Sequence, residues 1–100
     1  MTIISKKRLK EYWTEHPDSK KPLEDWYSAM KNNSFNTMPD LKLRFPTADY
    51  MSEWDRYCFN VHGNKYRLIV RITWGVTVFI VEVLTHTEYT KKYVDKRKRK

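Results

Sequence analysis

Apolar side chains recur at helical spacing in two stretches of the first third of the chain. The first stripe, over residues 9–16, follows Ser5, which can cap a helix, and Pro17-Asp18 ends that helix. The second stripe, over residues 23–30, gives one broad aromatic face and ends at Asn32-Asn33-Ser34. Both faces must be buried, so these stripes predict two helices that pack on a common core.

The second half of the chain has the alternation of β-strands. Strands are predicted at Ile3-Ile4 and at residues 57–61, 66–72 and 76–84, with tight turns at Gly63-Asn64 and Trp74-Gly75. The last of these strands is apolar on both faces, which favours a central position in the sheet. Residues 35–50 are less regular, although Thr37 and Asp40 have the spacing of a helix start, and they predict a loop with a short helix.

A short final helix completes the order of elements. Thr85-His86-Thr87-Glu88 matches a capping box, which predicts a helix through about residue 94. A strand, two helices, three antiparallel strands and a terminal helix predict a two-layer α+β domain over residues 1–94, followed by a basic tail over residues 95–100. We expect the helices to cover one face of the sheet and the other face to be free for function.

The charge of the chain is concentrated at its end. Of the formal +8, residues 91–100 contribute seven bases and one acid, which leaves +2 for the other ninety residues. Such a terminal run is typical of a solvated tail that helps polyanion binding only non-specifically. The high isoelectric point therefore overstates how basic the folded surface is.

Several classes of protein are disfavoured by what the sequence lacks. The lone Cys58 cannot form an intrachain disulfide and reads as a small core residue rather than a nucleophile, and no segment has the pattern of a signal peptide or membrane span. We therefore expect a cytoplasmic protein. No cluster has metal-ligand spacing and no glycine-rich phosphate loop is present, so metal-dependent hydrolysis and nucleotide-triphosphate chemistry are disfavoured.

The predicted strand over residues 66–72 carries the most informative charges. Lys65, Arg67 and Arg71 alternate with apolar residues, and no carboxylate occurs between Arg56 and Val81, so these cations have no counter-charge nearby in the sequence. We expect them to face outward, with Arg67 and Arg71 roughly 13 Å apart. That spacing suits a row of phosphates better than one small anion.

His86 and Tyr89 add proton-transfer and stacking chemistry to this sheet. The capping box places His86 at the first helical position and Tyr89 three residues on, so both can point back toward the sheet. His86 either forms hydrogen bonds within the cap or transfers protons near neutral pH. With arginine, lysine, histidine and tyrosine available, metal-free attack of an RNA 2′-hydroxyl on its neighbouring phosphate is the chemistry left open.

Motifs spread along nearly the whole chain resemble those of one family. They are Ile3-Ile4-Ser5-Lys6-Lys7, His16-Pro17-Asp18, Pro22-Leu23 with Trp26-Tyr27, Phe45-Pro46-Thr47-Ala48-Asp49, Phe59-Asn60-Val61, Gly63-Asn64-Lys65-Tyr66-Arg67-Leu68 and Thr85-His86-Thr87-Glu88-Tyr89. The chain thereby resembles HigB-type toxins of the RelE superfamily, the ribosome-dependent mRNA interferases of type II toxin-antitoxin pairs. The resemblance implies a RelE-like microbial-RNase-type fold.

The resemblance also implies an activity and its partners. The activity is metal-independent endoribonuclease cleavage of mRNA at the A site of the 70S ribosome, without a cofactor. The protein would be inhibited by a HigA-like helix-turn-helix antitoxin and would reach operator DNA only through that antitoxin. No membrane is implied as a partner. By position, the catalytic residues would be Arg67, Arg71, His86 and Tyr89, and the RNA-binding residues Lys65, Asn64, Lys91 and Lys92.

A second class of function fits the same residues. A non-enzymatic RNA-binding or ribosome-associated module would use the basic strand and exposed aromatics to hold RNA without cutting it. An inactivated toxin would also bind RNA without cutting it. Binding without cleavage separates these alternatives from the enzyme. A DNA-binding regulator fits less well because no predicted helix has a clear recognition surface.

Overall fold

The computed structural model describes residues 1–95 of the 100-residue chain. The helices are α1 (Lys6–Glu15), α2 (Lys20–Lys31), α3 (Met38–Arg44) and α4 (His86–Tyr89), with a 3₁₀ turn at Pro17–Ser19 and a π-helical turn at Thr90–Val94. The strands are β1 (Thr2–Ile4), β2 (Asp49–Met51), β3 (Arg56–Val61), β4 (Tyr66–Thr73) and β5 (Thr77–Thr85). The predicted basic tail lies outside the described residues, apart from Asp95.

The strands form one mixed sheet in the order β1-β5-β4-β3-β2. β1 pairs in parallel with β5, whereas β2, β3, β4 and β5 pair antiparallel in sequence order. The register between β4 and β5 shifts opposite Ile69 and Val70, which leaves Val81 without a partner in β4. The predicted α+β class is confirmed, and β5 is an interior strand as expected, although β4 occupies the middle of the sheet.

One face of the sheet packs on the helices, as the two stripes predict. Leu9 of α1, Leu23 and Met30 of α2 and Leu41 of α3 are fully buried against Leu68 and its neighbours on β3, β4 and β5. The aromatic side chains of this layer meet edge to face, with the rings of Trp26 and Phe59 5.4 Å apart. This layer fixes the position of β4 relative to the helices.

The opposite face is not free, which corrects the expectation from the sequence. Met51, Cys58, Ile69, Leu84 and Tyr93 form a second buried cluster there, because the segment after β5 folds back across the sheet. Tyr93 is fully buried and accepts a hydrogen bond of 3.0 Å from Arg56 Nη1, while its own hydroxyl donates to Glu82. Burial, followed by the bond to Glu82, raises the pKa of Tyr93 to about 12, so its hydroxyl keeps its proton.

Three local details also differ from the predictions. β2 was not predicted, because three residues that include an aspartate give too little alternation to mark an edge strand. In the β3–β4 turn the residues with positive φ are His62 and Gly63 rather than Gly63 and Asn64. Ser5 precedes α1 in the left-handed conformation at φ 72° without a side-chain cap, so the chain turns there directly from β1 into the helix.

Candidate active site

Arg67 lies at the centre of the candidate site and is almost completely buried. Its side chain is 8% exposed, whereas the sequence pattern predicted an outward-facing cation. Nη1 donates to the carbonyl oxygens of Asn64 at 2.9 Å and Tyr66 at 3.3 Å, so the β3–β4 turn holds the guanidinium in place. Its contacts with the segment that follows β5 leave Arg67 as a buried positive charge with little access to solvent.

His86 meets Arg67 from the start of α4. The Thr85–Glu88 capping box fixes the first turn of this helix, and the His86 backbone N–H donates to the Lys65 carbonyl at 3.0 Å. The His86 Nδ1 atom lies 3.0 Å from Arg67 Nη2. A guanidinium only donates hydrogen bonds, so Nδ1 accepts and the ring carries its proton on Nε2.

Tyr89 completes this group three residues further along α4. The Arg67 guanidinium carbon lies 5.7 Å from the centre of the Tyr89 ring, within the range of a cation–π contact. The Tyr89 ring in turn lies 5.5 Å from that of buried Tyr93. Tyr93 therefore helps to hold the helix that carries two of the three clustered side chains.

A carboxylate from the helical layer approaches the same turn from the other side. Asp18, in the 3₁₀ turn between α1 and α2, accepts hydrogen bonds from Lys65 Nζ and, at 2.7 Å, from the Tyr66 hydroxyl. His62 Nε2 lies 3.7 Å from the same carboxylate. The expectation that the basic strand has no counter-charge is therefore wrong for Lys65, because Asp18 comes from 47 residues away in sequence.

These contacts favour the charged form of Asp18. The bond from Lys65, followed by that from Tyr66, lowers the pKa of Asp18 from 3.8 to about 2. The same bond raises the pKa of Lys65, and burial followed by the bond to Asp18 raises that of Tyr66. Lys65 and Tyr66 thus remain protonated and Asp18 ionised near neutral pH.

Asp18→Asn is expected to flatten the acid dependence of stability. The folded pKa of about 2 lies below the unfolded value of 3.8, so the contribution of Asp18 is present above pH 3.8 and is lost as the pH falls toward 2. Urea unfolding at pH 5, 4, 3 and 2 measures this loss. Tyr66→Phe keeps the ion pair between Lys65 and Asp18, so its loss of stability on acidification is expected to lie between those of the wild type and Asp18→Asn. An Asp18→Asn variant that loses as much stability as the wild type would contradict the assignment.

The structure brings together some of the predicted site residues and separates others. Arg67, His86 and Tyr89 form one cluster, and Asn64 contributes its carbonyl to it. Arg71 lies four residues further along β4, opposite Phe79 in the register, at the edge of a separate cleft that also includes Asp55. It is exposed and belongs to the far end of the strand.

The predicted RNA-binding lysines also have different surroundings. Lys65 is paired with Asp18, and Lys92 donates to Glu82 at 2.9 Å, whereas Lys91 is exposed on the π-helical turn. Sequence reasoning gave Asp18 only the role of a helix boundary. Its place in the motif His16-Pro17-Asp18 was the available signal.

Two features that would indicate other functions are not found in residues 1–95. Within that range no group of three or more histidine, cysteine, aspartate or glutamate side chains is arranged to hold a metal ion. No helix there has the length and apolar character needed to cross a membrane.

Comparison with known proteins identifies the family. Residues 19–92 match the HigB toxin family, described as the RelE-like toxic component of a toxin-antitoxin system. An mRNA interferase HigB of Escherichia coli O6:H1 is 33% identical over 95 residues, covering 91% of this chain and 90% of the relative. The mRNA interferase toxin HigB of Escherichia coli K12 and an mRNA interferase HigB of Shigella flexneri are each 32% identical over 91 residues, covering 89% of this chain and 88% of the relative. With the match spanning most of its length, the chain belongs to the HigB family of RelE-like toxins.

Proposed function

We propose that this chain is the toxin of a type II toxin-antitoxin pair and an endoribonuclease that cuts mRNA. The observation that carries the proposal is the contact of 3.0 Å between Arg67 and His86, beside Tyr89, in a member of a family whose similar relatives are named mRNA interferases. A buried guanidinium next to a histidine at a helix start provides a charge and a proton-transfer group at one place.

The proposed reaction is an internal transesterification of RNA. The 2′-hydroxyl loses its proton and attacks the adjacent phosphorus, the bond from phosphorus to the 5′ oxygen breaks, and that oxygen gains a proton. The products are a 2′,3′-cyclic phosphate and a 5′-hydroxyl end, and no metal or cofactor enters the balance. Arg67 stabilises the negative charge that develops on the phosphoryl oxygens.

His86 and Tyr89 are assigned the proton transfers at the two oxygens. In the free protein His86 Nδ1 is occupied by Arg67. When the guanidinium turns to the phosphate, that nitrogen is released as an acceptor for the 2′-hydroxyl proton. The Tyr89 hydroxyl then donates a proton to the leaving 5′ oxygen.

Arg71 positions RNA in this proposal, as its spacing from Arg67 predicts, and does not take the catalytic role that the resemblance implies. At roughly 13 Å along β4 from Arg67, it suits a phosphate elsewhere on the RNA strand rather than the reacting one. Lys65, Asn64, Lys91 and Lys92 would contact the RNA or ribosome around the site. Lys65 can do so only in exchange for its contact with Asp18.

The site provides few groups, which supports a dependence on the ribosome. Three clustered side chains do little to fix a flexible RNA, whereas an mRNA held in the ribosomal A site already has its reacting atoms positioned. We therefore assign the activity to translated mRNA in the cytoplasm. A HigA-like antitoxin with a helix-turn-helix would block the toxin and would connect the pair to operator DNA.

The test is a reconstituted translation reaction in which the 5′ ends of the mRNA are mapped by primer extension, with naked mRNA alongside. Cuts are expected only on translated message, with 5′-hydroxyl ends that a polynucleotide kinase labels without prior phosphatase treatment. RNA or ribosome binding without cuts would overturn the nuclease in favour of a binding module. Cuts on naked mRNA at the same rate would overturn the dependence on the ribosome.

A further inference from the structure

The sheet face that carries Arg67 is open at its far end. On this face Ile69 is buried together with Tyr93, whereas Arg71, two residues further along β4, is exposed. Ile4 of β1, which shares this face by register, is 43% exposed. The segment after β5 therefore covers the face near Arg67 and leaves the end near Arg71 accessible.

A cleft of about 360 Å³ lies at this open end, and we name it the Phe79 cleft. Its lining includes Asp55, Arg71, Thr73, Thr77 and Phe79. Arg71 and Phe79 are directly opposite in the β4–β5 register, so their side chains lie on the same face about 5 Å apart. Because Arg71 follows Arg67 on one face of β4, at roughly 13 Å, the cleft and the candidate active site share that face.

A second arginine lies over the partly exposed ring of Phe79. The Arg8 guanidinium carbon is 5.3 Å from the centre of this ring, within the range of a cation–π contact. Arg8 Nη1 is held there because it donates to the carbonyl oxygens of Ile80 at 3.0 Å and Val81 at 2.7 Å, at the register shift of β5. An aromatic ring with a fixed guanidinium is a platform on which any unpaired base can stack.

The charges around the cleft favour a phosphate beside that base. Within residues 1–95, Arg71 makes no hydrogen bond or ion pair, so its guanidinium is available. Arg56 lies next to it when the β3–β4 register is extended by one residue, and it donates to the Tyr93 hydroxyl. Asp55 brings a carboxylate to the lining, and its Oδ1 accepts a bond of 3.0 Å from Tyr50. The cations outnumber this carboxylate, which suits the backbone of single-stranded RNA.

We propose that the Phe79 cleft binds a nucleotide of the mRNA away from the cleaved phosphate, with the base stacked on Phe79 and Arg8 and the phosphate on Arg71. The inference rests on the proposed nuclease function and extends it to positioning of the substrate. Because stacking accepts every base, the cleft holds the RNA without selecting its sequence. Arg67 and the Phe79 cleft then hold one RNA strand at two points.

The test compares two hexanucleotides, one with bases and one with abasic riboses, in their binding to the full chain by fluorescence anisotropy. Both carry 2′-O-methyl groups, which remove the attacking hydroxyl and prevent cleavage. Phe79→Leu keeps an apolar side chain without an aromatic plane. It is expected to weaken binding of the base-bearing RNA about tenfold, the usual effect of losing one stacked base, and to leave the abasic RNA unchanged. Phe79→Tyr keeps the plane and is expected to bind like the wild type.

Variants of the charged residues test the phosphate contact. Arg71→Gln is expected to weaken binding of both RNAs about fivefold and to make binding less sensitive to salt. Asp55→Asn is expected to strengthen binding of both, since it removes the carboxylate and asparagine tolerates the φ of 52° at this position. Arg44→Gln is the matched control, because Arg44 is also exposed and lies 5.0 Å from the ring of Phe45, but on α3. It is expected to bind both RNAs like the wild type.

Three results would overturn the inference. The first is a wild type that binds the two RNAs equally, or a Phe79→Leu variant that binds the base-bearing RNA as tightly as the wild type does. The second is an Arg44→Gln variant weakened as much as Arg71→Gln, since net charge alone would then explain the effect. The third is a dimer in sedimentation that Phe79→Leu dissociates while RNA binding is unchanged, which would assign this face to a contact between copies.

The failure of this inference can be told apart from failure of the proposed nuclease. Arg67→Ala is expected to stop cleavage of translated mRNA and to keep the preference for the base-bearing RNA. Cleavage by a wild type that binds both RNAs equally would overturn the Phe79 cleft alone. A preference that Phe79→Leu removes, in a chain that never cleaves, would overturn the nuclease and keep the cleft as an RNA-binding site.

Discussion

Replacing Arg67 by alanine is expected to lower the rate of mRNA cleavage by about 100- to 1000-fold. The buried guanidinium contacts both His86 and Tyr89, so its loss removes the charge that meets the transition state. The change also leaves the carbonyl oxygens of Asn64 and Tyr66 without this donor, at a cost of about 1 to 3 kcal/mol in stability. Cleavage rates at saturating ribosomes measure the first effect and thermal unfolding measures the second.

Two further variants separate charge from geometry. Arg67→Lys keeps the charge, but a single ammonium nitrogen cannot replace the spaced donors that reach the Asn64 and Tyr66 carbonyls and His86. Its activity is therefore expected to lie between those of Arg67→Ala and the wild type. Arg71→Ala, from the same strand, is expected to weaken RNA binding with a smaller effect on the maximal rate. A folded Arg67→Ala variant that cuts at the wild-type rate would disprove the assignment of Arg67.

The elements that local sequence determines were predicted well. The capping box at Thr85 and Glu88, the Thr37 cap of α3 and the two buried stripes depend on residues within a few positions of each other. The capping box also placed His86 at the first position of α4, where it meets Arg67. Periodicity and capping act over one or two turns, so a single sequence is enough to recognise them.

The features that the sequence did not reveal depend on contacts between distant segments. Alternation along β4 put Arg67 on the face opposite the helices, but it could not show that Tyr93 and its neighbours cover that face. In the same way, a scan for carboxylates near Lys65 could not find Asp18. The burial of Arg67 and the pairing of Lys65 with Asp18 arise only when the chain has folded.

Those two contacts change how the site is understood. In the free protein Arg67 is held by hydrogen bonds to the turn and to His86 of α4, whereas the charge of Lys65 is already compensated by Asp18, which Lys65 must exchange for any phosphate that it binds. The positive field near the reacting phosphate therefore comes mainly from one buried arginine. Catalysis should then depend steeply on Arg67 and its partner His86, and weakly on the surrounding lysines.

Replacing His86 by alanine is expected to reduce cleavage by about 100- to 10,000-fold, the usual range for loss of a group that transfers protons. Part of this loss comes from proton transfer and part from the position of Arg67, because His86 Nδ1 is a hydrogen-bond partner of that guanidinium. The backbone contact of His86 with Lys65 does not depend on the side chain, so α4 should keep its place. Single-turnover rates on stalled ribosome complexes measure the effect without interference from product release.

His86→Asn distinguishes the two contributions. The asparagine Oδ1 can accept from Arg67 where Nδ1 does, but an amide is neither a general base nor a general acid near neutral pH. If His86 transfers a proton, His86→Asn will be as slow as His86→Ala although Arg67 is held. If His86→Asn instead recovers most of the wild-type rate, His86 acts only by orienting Arg67, and the proton transfers must be reassigned to Tyr89 and to water.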